Sequence, residues 1–535
     1  MPQPKWYHKS LAELCMNSIV DNMEKWTESR SSVHVSSLFY LLPSHCLEYM
    51  TECLSEDHRL RRSLWSKDYA ITEDMFDLLL LSPHMKVLDL SQDYWGTGHD
   101  LQRNFRIFRL ASVNCLQLTT LKINDGGFSF PFSDPNRNFE VEETFASILQ
   151  LFEHLQILDL SGTIYGARSM LKLGSTNKPK IRELLVNGCP GVTDTVVEVF
   201  CKGQSSFYKL SLIQTKVSHI GLRFAIEHLA ELKKLNCDNQ SDVYKAFRRI
   251  RKESRESKKY SLIKLFMENM VWTPLHKVPY KKGSVSLMVD MCPSIVDVLL
   301  SVNDEGFTNE ELLGFRELKL LKNLKIGMDR FTMSPFSIRG GVIPLLQARG
   351  PTLEELSLWM EVTSEEVNLI IECCPNVRRL RLVIKSTDLG TPELAVDDRV
   401  HSSLCSRKEV FPLRMLDVIS LKSNQFSPSR FYAISRKLLL LLLSSPTLTK
   451  ISIDECFTLD DQIIEEACTE NSFKNLTKLK FHGCSNVSQK GIDFFLNEAN
   501  PLSEIIVTNC GNVNLEHMKT MAQEKHWDQV KIIVR

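Results

Sequence analysis

Between Ile181 and Asp194 the chain reads IRELLVNGCPGVTD, with apolar side chains at Ile181, Leu184 and Val186, then Cys189, then Val192 ahead of Thr193 and Asp194. The alternation Leu184-x-Val186 predicts a short strand with one buried face. Cys189 is small enough to turn inward where the chain bends, and Thr193 or Asp194 is placed to cap a helix over Val196–Phe200. One copy cannot bury its own apolar face, so the pattern requires neighbours stacked upon it. The same start recurs at Met85, Leu118, Leu155, Phe207, Leu232, Ile295, Leu321, Leu353, Val377, Leu413, Leu448, Leu476 and Leu502. Apart from one long gap after Leu232, the spacings are 24–37 residues, which predicts strand, bend and helix repeated along most of the chain.

The C-terminal copies LTKISIDECFTLDD (Leu448–Asp461), LTKLKFHGCSNVSQKGI (Leu476–Ile492) and LSEIIVTNCGNVN (Leu502–Asn514) keep Cys456, Cys484 and Cys510 at the bend. This resembles the cysteine-containing leucine-rich-repeat class over most of residues 80–535. The resemblance implies an α/β leucine-rich-repeat solenoid, a horseshoe, behind an N-terminal all-helical module. The expected domains are a helical module over 1–80, repeats over 81–237, an irregular basic break over 238–290 and repeats again over 291–535. Within the break, Ser241–Lys259 is helical in propensity and dense in Arg and Lys, with Glu253 and Glu256 interleaved. It reads as a solvated helix or mobile loop, or else as a patch for an acidic partner or nucleic acid. Insertions are expected at Asp125–Asn138, Phe331–Pro351, Lys385–Pro412 and Asn424–Ser429. Leu438–Leu443 reads as a helix buried on nearly every side.

The first eighty residues follow a helical period instead. Ser10 is a candidate N-cap with Glu13 three residues on, a capping box, and Leu11, Leu14, Cys15, Ile19, Met23 and Trp26 form one apolar stripe. The order S-L-x-x-x-C-x-x-x-I over 10–19 resembles the BC-box, the helix by which substrate receptors dock on the elongin B–elongin C adaptor. That resemblance implies adaptor contacts from Leu11, Leu14, Cys15 and Ile19, with Leu11 in an apolar pocket and Cys15 allowing close backbone approach. Residues 41–54 resemble a cullin box of the cullin-two type in Leu42, Pro43, Cys46 and Met50, Pro43 starting a helix that does not need its N–H. BC-box, cullin box and leucine-rich repeats in this order resemble the Zyg-eleven family of ubiquitin-ligase receptors. The likeness includes Ser10–Trp26, Leu41–Leu54 and a helical linker, ITEDMFDLLLLSP, before Met85. The armadillo helices that follow the repeats in that family have no counterpart here.

The resemblance implies a substrate-recognition subunit of an elongin-BC cullin-RING ubiquitin ligase, with elongin B, elongin C, a cullin and a protein substrate as partners. Leu42-Pro43 with the following helix and the basic segment Arg59–Trp65 also resembles a degraded F-box, which binds the Skp-one adaptor. A third reading makes the N-terminal helices a cap for the open end of the repeats, and the protein a scaffold or inhibitor.

Composition narrows the class further. A chain of 535 residues is too long for one compact core but not for a line of stacked layers. Zero formal net charge gives no global case for nucleic acid or an acidic membrane. Fifteen cysteines are an odd number for a disulfide framework, and many sit inside repeats, so they read as reduced core thiols of a cytoplasmic or nuclear protein. The segment MPQPKWYHKSLAELC lacks a basic run followed by an apolar core, which predicts no signal peptide. The longest apolar run, Leu438–Leu443, is too short to cross a bilayer.

No G-x-x-x-x-G-K-(S/T), G-x-G-x-x-G after a strand, H-E-x-x-H or G-x-S-x-G occurs, so neither catalysis nor a cofactor is expected. Cys46, Cys53 and His58 lack zinc-finger spacing. The outward strand positions, Arg182 and Glu183, Tyr208 and Lys209, Glu354 and Glu355, Arg378 and Arg379, Thr449 and Lys450, are expected to face a protein substrate.

Overall fold

The computed structural model describes residues 10–28, 38–53, 79–90, 101–124, 139–253, 258–267, 280–302, 306–328, 336–385, 413–423, 432–496, 502–524 and 530–534, apart from isolated positions within these spans. Arg59–Trp65, most of the linker ITEDMFDLLLLSP, Asp125–Asn138, Asn424–Ser429 and most of Lys385–Pro412 lie outside the described residues. The chain divides into two compact units, Met1–Glu268 and Asn269–Arg535.

In the first unit the strands are β1 (Val87–Asp89), β2 (Thr120–Lys122), β3 (Ile157–Asp159), β4 (Glu183–Leu185), β5 (Lys209–Ser211), β6 (Lys234–Cys237) and β7 (Lys264–Met267). Each pairs in parallel with the next. Parallel neighbours need a crossover, and helices supply it: Gly166–Thr176 follows β3, Asp194–Gly203 follows β4 and His219–His228 follows β5. The second unit repeats the plan with β8 (Asp297–Val302), β9 (Asn323–Met328), β10 (Glu355–Val362), β11 (Arg379–Ile384), β12 (Val418–Ser423), β13 (Lys450–Asp454), β14 (Lys478–His482), β15 (Glu504–Thr508) and β16 (Lys531–Val534). These too pair in parallel and in chain order. Each unit is a leucine-rich-repeat solenoid.

The leucines set the register. Leu184 pairs with Leu210 and Leu210 with Leu235, and all three are fully buried. Each of these three rungs therefore removes a whole leucine side chain from water, worth about 1.5–3 kcal/mol. At the bend the Cys189 thiol donates to the Leu160 carbonyl of the preceding repeat at 3.0 Å. Burial pushes that thiol up to about 12, so it stays protonated. Thr193 is the N-cap of its helix, but its side chain makes no capping bond. Asp194 reaches instead into the next repeat, accepting from Ser218 N at 2.8 Å, Ser218 Oγ at 2.7 Å and Gly221 N at 2.9 Å. Asp461 does the same for Ser488, at 2.8 Å from N and 2.5 Å from Oγ. The T-D signature is thus a lock between repeats rather than a cap within one.

The copy predicted to start at Leu413 starts at Leu416, because β12 pairs Val418 with Lys450 and so sets Leu416 level with Leu448. The gap after Leu232 contains a further repeat starting at Leu262, whose strand β7 pairs with β6 through Leu265 and Leu235. The basic segment expected to be a break is largely the helix of the preceding repeat, the one starting at Leu232: Gln240–Glu253 follows β6, with Val243, Tyr244, Ala246, Phe247 and Ile250 buried. Its charges are paired along its outer side, Arg249 with Glu253 at 3.0 Å and Arg223 with Glu253 at 2.5 Å. A last strand, β16, follows the final predicted copy. The helix Arg436–Leu443 buries Leu438, Leu439, Leu442 and Leu443, while Leu440 and Leu441 are half-buried, so one side of it is less enclosed than expected.

Candidate functional site

Helix α1 spans Leu11–Asp21 and begins with both bonds of the capping box: Ser10 N donates to Glu13 Oε2 at 2.6 Å, and Glu13 N to Ser10 Oγ at 3.2 Å. Such a box satisfies two otherwise orphaned amides. Asn22 ends the helix, and α2 (Met23–Glu28) follows directly. The predicted single stripe divides in two. Met16, Val20 and Met23 are buried, whereas Leu11 is 78% exposed, Leu14 53% exposed and Cys15 exposed, with Ile19 intermediate. At about 100° per residue, Met16 and Val20 lie on the opposite side of α1 from Leu11 and Leu14.

The buried side is anchored. Asn17 Oδ1 accepts from Tyr49 Oη at 3.2 Å and from Cys53 Sγ at 3.5 Å, which ties α1 to the helical residues that follow Pro43. Trp26 meets Phe39 edge to face at 6.3 Å. Ser82 Oγ donates to the Leu42 carbonyl at 3.0 Å, fastening the same segment to the residues just before β1. Around it, Pro43 is exposed and Leu42 and Cys46 are half-buried. Met50, expected as a cullin contact, is fully buried beside the equally buried Leu47 and packs in the core of this module. Leu38, Tyr40 and Leu41, none of them among the predicted contacts, are all more than half exposed, Leu41 at 70%. Five of the fifteen large apolar side chains exposed among the described residues fall between Leu11 and Leu41, so the module holds an uneven share of open apolar surface.

On the repeat strands, Arg182, Glu354, Arg378, Arg379 and Lys450 are exposed, and Glu183, Tyr208, Lys209 and Thr449 are intermediate. Neighbouring rungs pair these charges: Lys322 with Glu354 at 2.6 Å and Arg378 with Asp417 at 2.8 Å. The hydrogen bond from Lys322 holds the Glu354 carboxyl below the usual carboxylate range. Glu355 departs from expectation. It is only 5% exposed and receives Lys325 at 3.0 Å, Arg379 at 3.2 Å and Arg381 at 3.5 Å. It is a hub beneath the surface rather than a contact on it. Trp359, which the sequence reading passed over, is 46% exposed on β10; a large aromatic residue at an outward strand position was the available signal.

Among the described residues no cluster of three or more His, Cys, Asp or Glu side chains is arranged to hold a metal ion. No described helix is long and apolar enough to cross a membrane. Among the described residues, the open side of α1 and the strand faces are candidate binding surfaces.

No protein-family model matches the sequence, and no curated protein matches it. Among solved structures it is similar to the crystal structure of the Rad7 and Elc1 complex in yeast, at 16% identity over 90% of this chain and 96% of that one, with a TM-score of 0.35. It is also similar to the leucine-rich repeat-containing protein LegL7 from Legionella pneumophila, at 12% identity over 56% of this chain and 90% of that one, with a TM-score of 0.34.

Proposed function

We propose that the protein is a substrate receptor of a cullin-RING ubiquitin ligase, docking on elongin B–elongin C through α1 and holding a protein substrate on its repeats. The observation that carries this reading is the exposure of Leu11, Leu14 and Cys15 on a helix whose other side is pinned by Met16, Val20 and the Asn17 bonds. A helix that only capped the repeats would turn its largest apolar residues inward, since each leucine left in water forgoes about 1.5–3 kcal/mol. An amphipathic helix laid into a partner's groove is read through anchors at i, i+3 and i+4, which is the spacing of Leu11, Leu14 and Cys15. Leu42, Pro43 and Cys46 would contribute to the cullin, with the exposed Leu41 beside them. The resemblance to the Zyg-eleven order of modules points the same way. A receptor of this kind needs no catalytic group, because it acts by raising the local concentration of substrate near a charged ubiquitin enzyme.

The test is co-purification of the full chain with elongin B, elongin C and Skp-one, beside a Leu11→Ser, Cys15→Phe double variant. Both positions are exposed, so the variant's stability should stay within about 0.5 kcal/mol of wild type, while elongin capture should fall at least tenfold. Capture of Skp-one instead would move the protein to the F-box class. Capture of neither adaptor would leave a repeat scaffold and overturn the proposal.

A further inference from the structure

The strand face of the second unit separates its charges by depth. Glu355 is sunk beneath Lys325, Arg379 and Arg381. Asp454, similarly covered, meets Lys480 at 3.2 Å and Lys422 at 3.8 Å. Two buried carboxylates thus sit under five cations, and four of those cations, Arg379, Arg381, Lys422 and Lys480, keep 38–55% of their side chains in solvent. The carboxylates orient the cations without cancelling them, and the outer layer is positive.

Trp359 adjoins this layer. It pairs in register with Gly327 on β9, and a Cβ at Gly327 would stand 2.8 Å from the Trp359 ring. The missing side chain is what lets the indole lie over the ladder. On the other side, the pairing of β10 with β11 shifts between Leu358 and Glu361, so Trp359 lies in a bulge, a device that re-aims side chains. Glu361, exposed on the same strand, disfavours a second anion beyond the ring and directs acidic groups toward Arg381.

The geometry points to a binding face for an extended acidic peptide, with carboxylates on the cations from Lys325 to Lys480 and one apolar or aromatic side chain on Trp359. Charge complementarity selects the acidic partner, and a half-exposed tryptophan is the residue type that most often anchors an interface. Strands lie about 4.8 Å apart, so the five steps from β9 to β14 span roughly 24 Å, which about seven extended residues cover. Nucleic acid is the other polyanion, but it favours a succession of stacking rings. Trp359 is the sole exposed tryptophan, tyrosine or phenylalanine on the described strands β8 to β16.

This inference rests on the reading of the repeats as the substrate-holding surface, and its test omits every adaptor, so that its failure leaves elongin capture by α1 as a separate result. Fluorescein-labelled octapeptides of Asp and Glu ending in Phe, Leu or Trp are titrated with the full chain and read by anisotropy, beside the same peptides with Lys replacing the acids and a single-stranded oligothymidine. Saturable, salt-weakened binding of the acidic peptides is expected, reduced at least tenfold by Trp359→Ala and, independently, by Arg381→Gln. Both positions are open to solvent, so a change in the circular dichroism spectrum is not expected. Absence of binding, equal binding by both variants, or tighter binding of the lysine peptides or the oligothymidine overturns the inference.

Discussion

Phe145→Ala is expected to destabilise the first unit by about 3–5 kcal/mol, the usual cost of emptying a buried phenylalanine site. Phe145 is fully buried and stacks on Phe108 at 4.3 Å on one side and on Tyr165 at 4.2 Å on the other. Its ring therefore links the helix Leu101–Asn114 to the first residues after β3. In a solenoid, stability is a sum of repeats and the interfaces between them. Loss of this ring therefore weakens two interfaces at once, and the opening should spread to neighbouring repeats. Hydrogen exchange across residues 101–176 measures the effect locally, where a single unfolding midpoint for a repeat protein would blur it. Phe145→Leu keeps most of the volume and should lose far less. Tyr165→Phe supplies the opposite sign: the Tyr165 hydroxyl is buried without a hydrogen-bond partner, so its removal should be neutral or stabilising.

The second large effect is steric. A Cβ on Gly203 would lie 1.7 Å from the Gly174 carbonyl oxygen and 2.7 Å from Gly174 Cα. The reverse contact is equally closed, since a Cβ on Gly174 would stand 2.5 Å from the Val199 carbonyl oxygen. Two helices, Gly166–Thr176 and Asp194–Gly203, thus touch backbone to backbone. No rotamer change relieves such a clash. Gly203→Ala should force the helices apart and cost about 1–3 kcal/mol or more, despite the higher helix propensity of alanine. The displacement also loosens Gln204, whose buried amide donates to the Leu173 carbonyl at 3.0 Å. Lys202→Ala, one position earlier on the exposed side, is the control and should stay within about 0.5 kcal/mol. Chemical denaturation followed by circular dichroism separates the two variants.

These sites differ in how far the sequence announced them. The strand register was legible because apolar residues at fixed offsets from each start, as in Ile181, Leu184 and Val186, have only one way to face a common core. The repeat at Leu262 carried the same signal in Leu262 and Leu265, but the charges of the preceding helix masked it; the buried positions Val243, Phe247 and Ile250 lie among ten charged residues from Asp242 to Lys258. Leu413 misled because it and Leu416 are both apolar and both buried, and only pairing with Leu448 chooses between them. The Gly174–Gly203 contact joins residues on different helices, and nothing local marks it.

At the candidate docking helix the sequence identified the element but merged its two sides. Leu11, Leu14 and Cys15 were grouped with Met23, yet the chain turns at Asn22 and Met23 packs inward with Met16 and Val20. Hydrophobicity alone does not say which of two adjacent apolar arcs a helix buries; the position of Asn17 against Tyr49 decides it. Met50 carries the same ambiguity, since an apolar helix position serves core and partner alike, and here it lies in the core. Trp359 and the cations around Glu355 needed the parallel pairing of β9, β10 and β11 before they could be seen as one surface.

Cys15 gives the most direct test of the docking helix. The native full chain is treated with N-ethylmaleimide, alone and with excess elongin B–elongin C, and modification of each cysteine is quantified by mass spectrometry. Cys15 is exposed, whereas Cys115, Cys189 and Cys201 are buried, and burial pushes each of those three thiols up to about 12. Rapid labelling of Cys15 in the free chain, slow labelling of the three buried thiols, and at least tenfold protection of Cys15 by elongin B–elongin C that Leu11→Ser abolishes are the predicted results. Equal labelling of Cys15 with and without the adaptor would contradict the account.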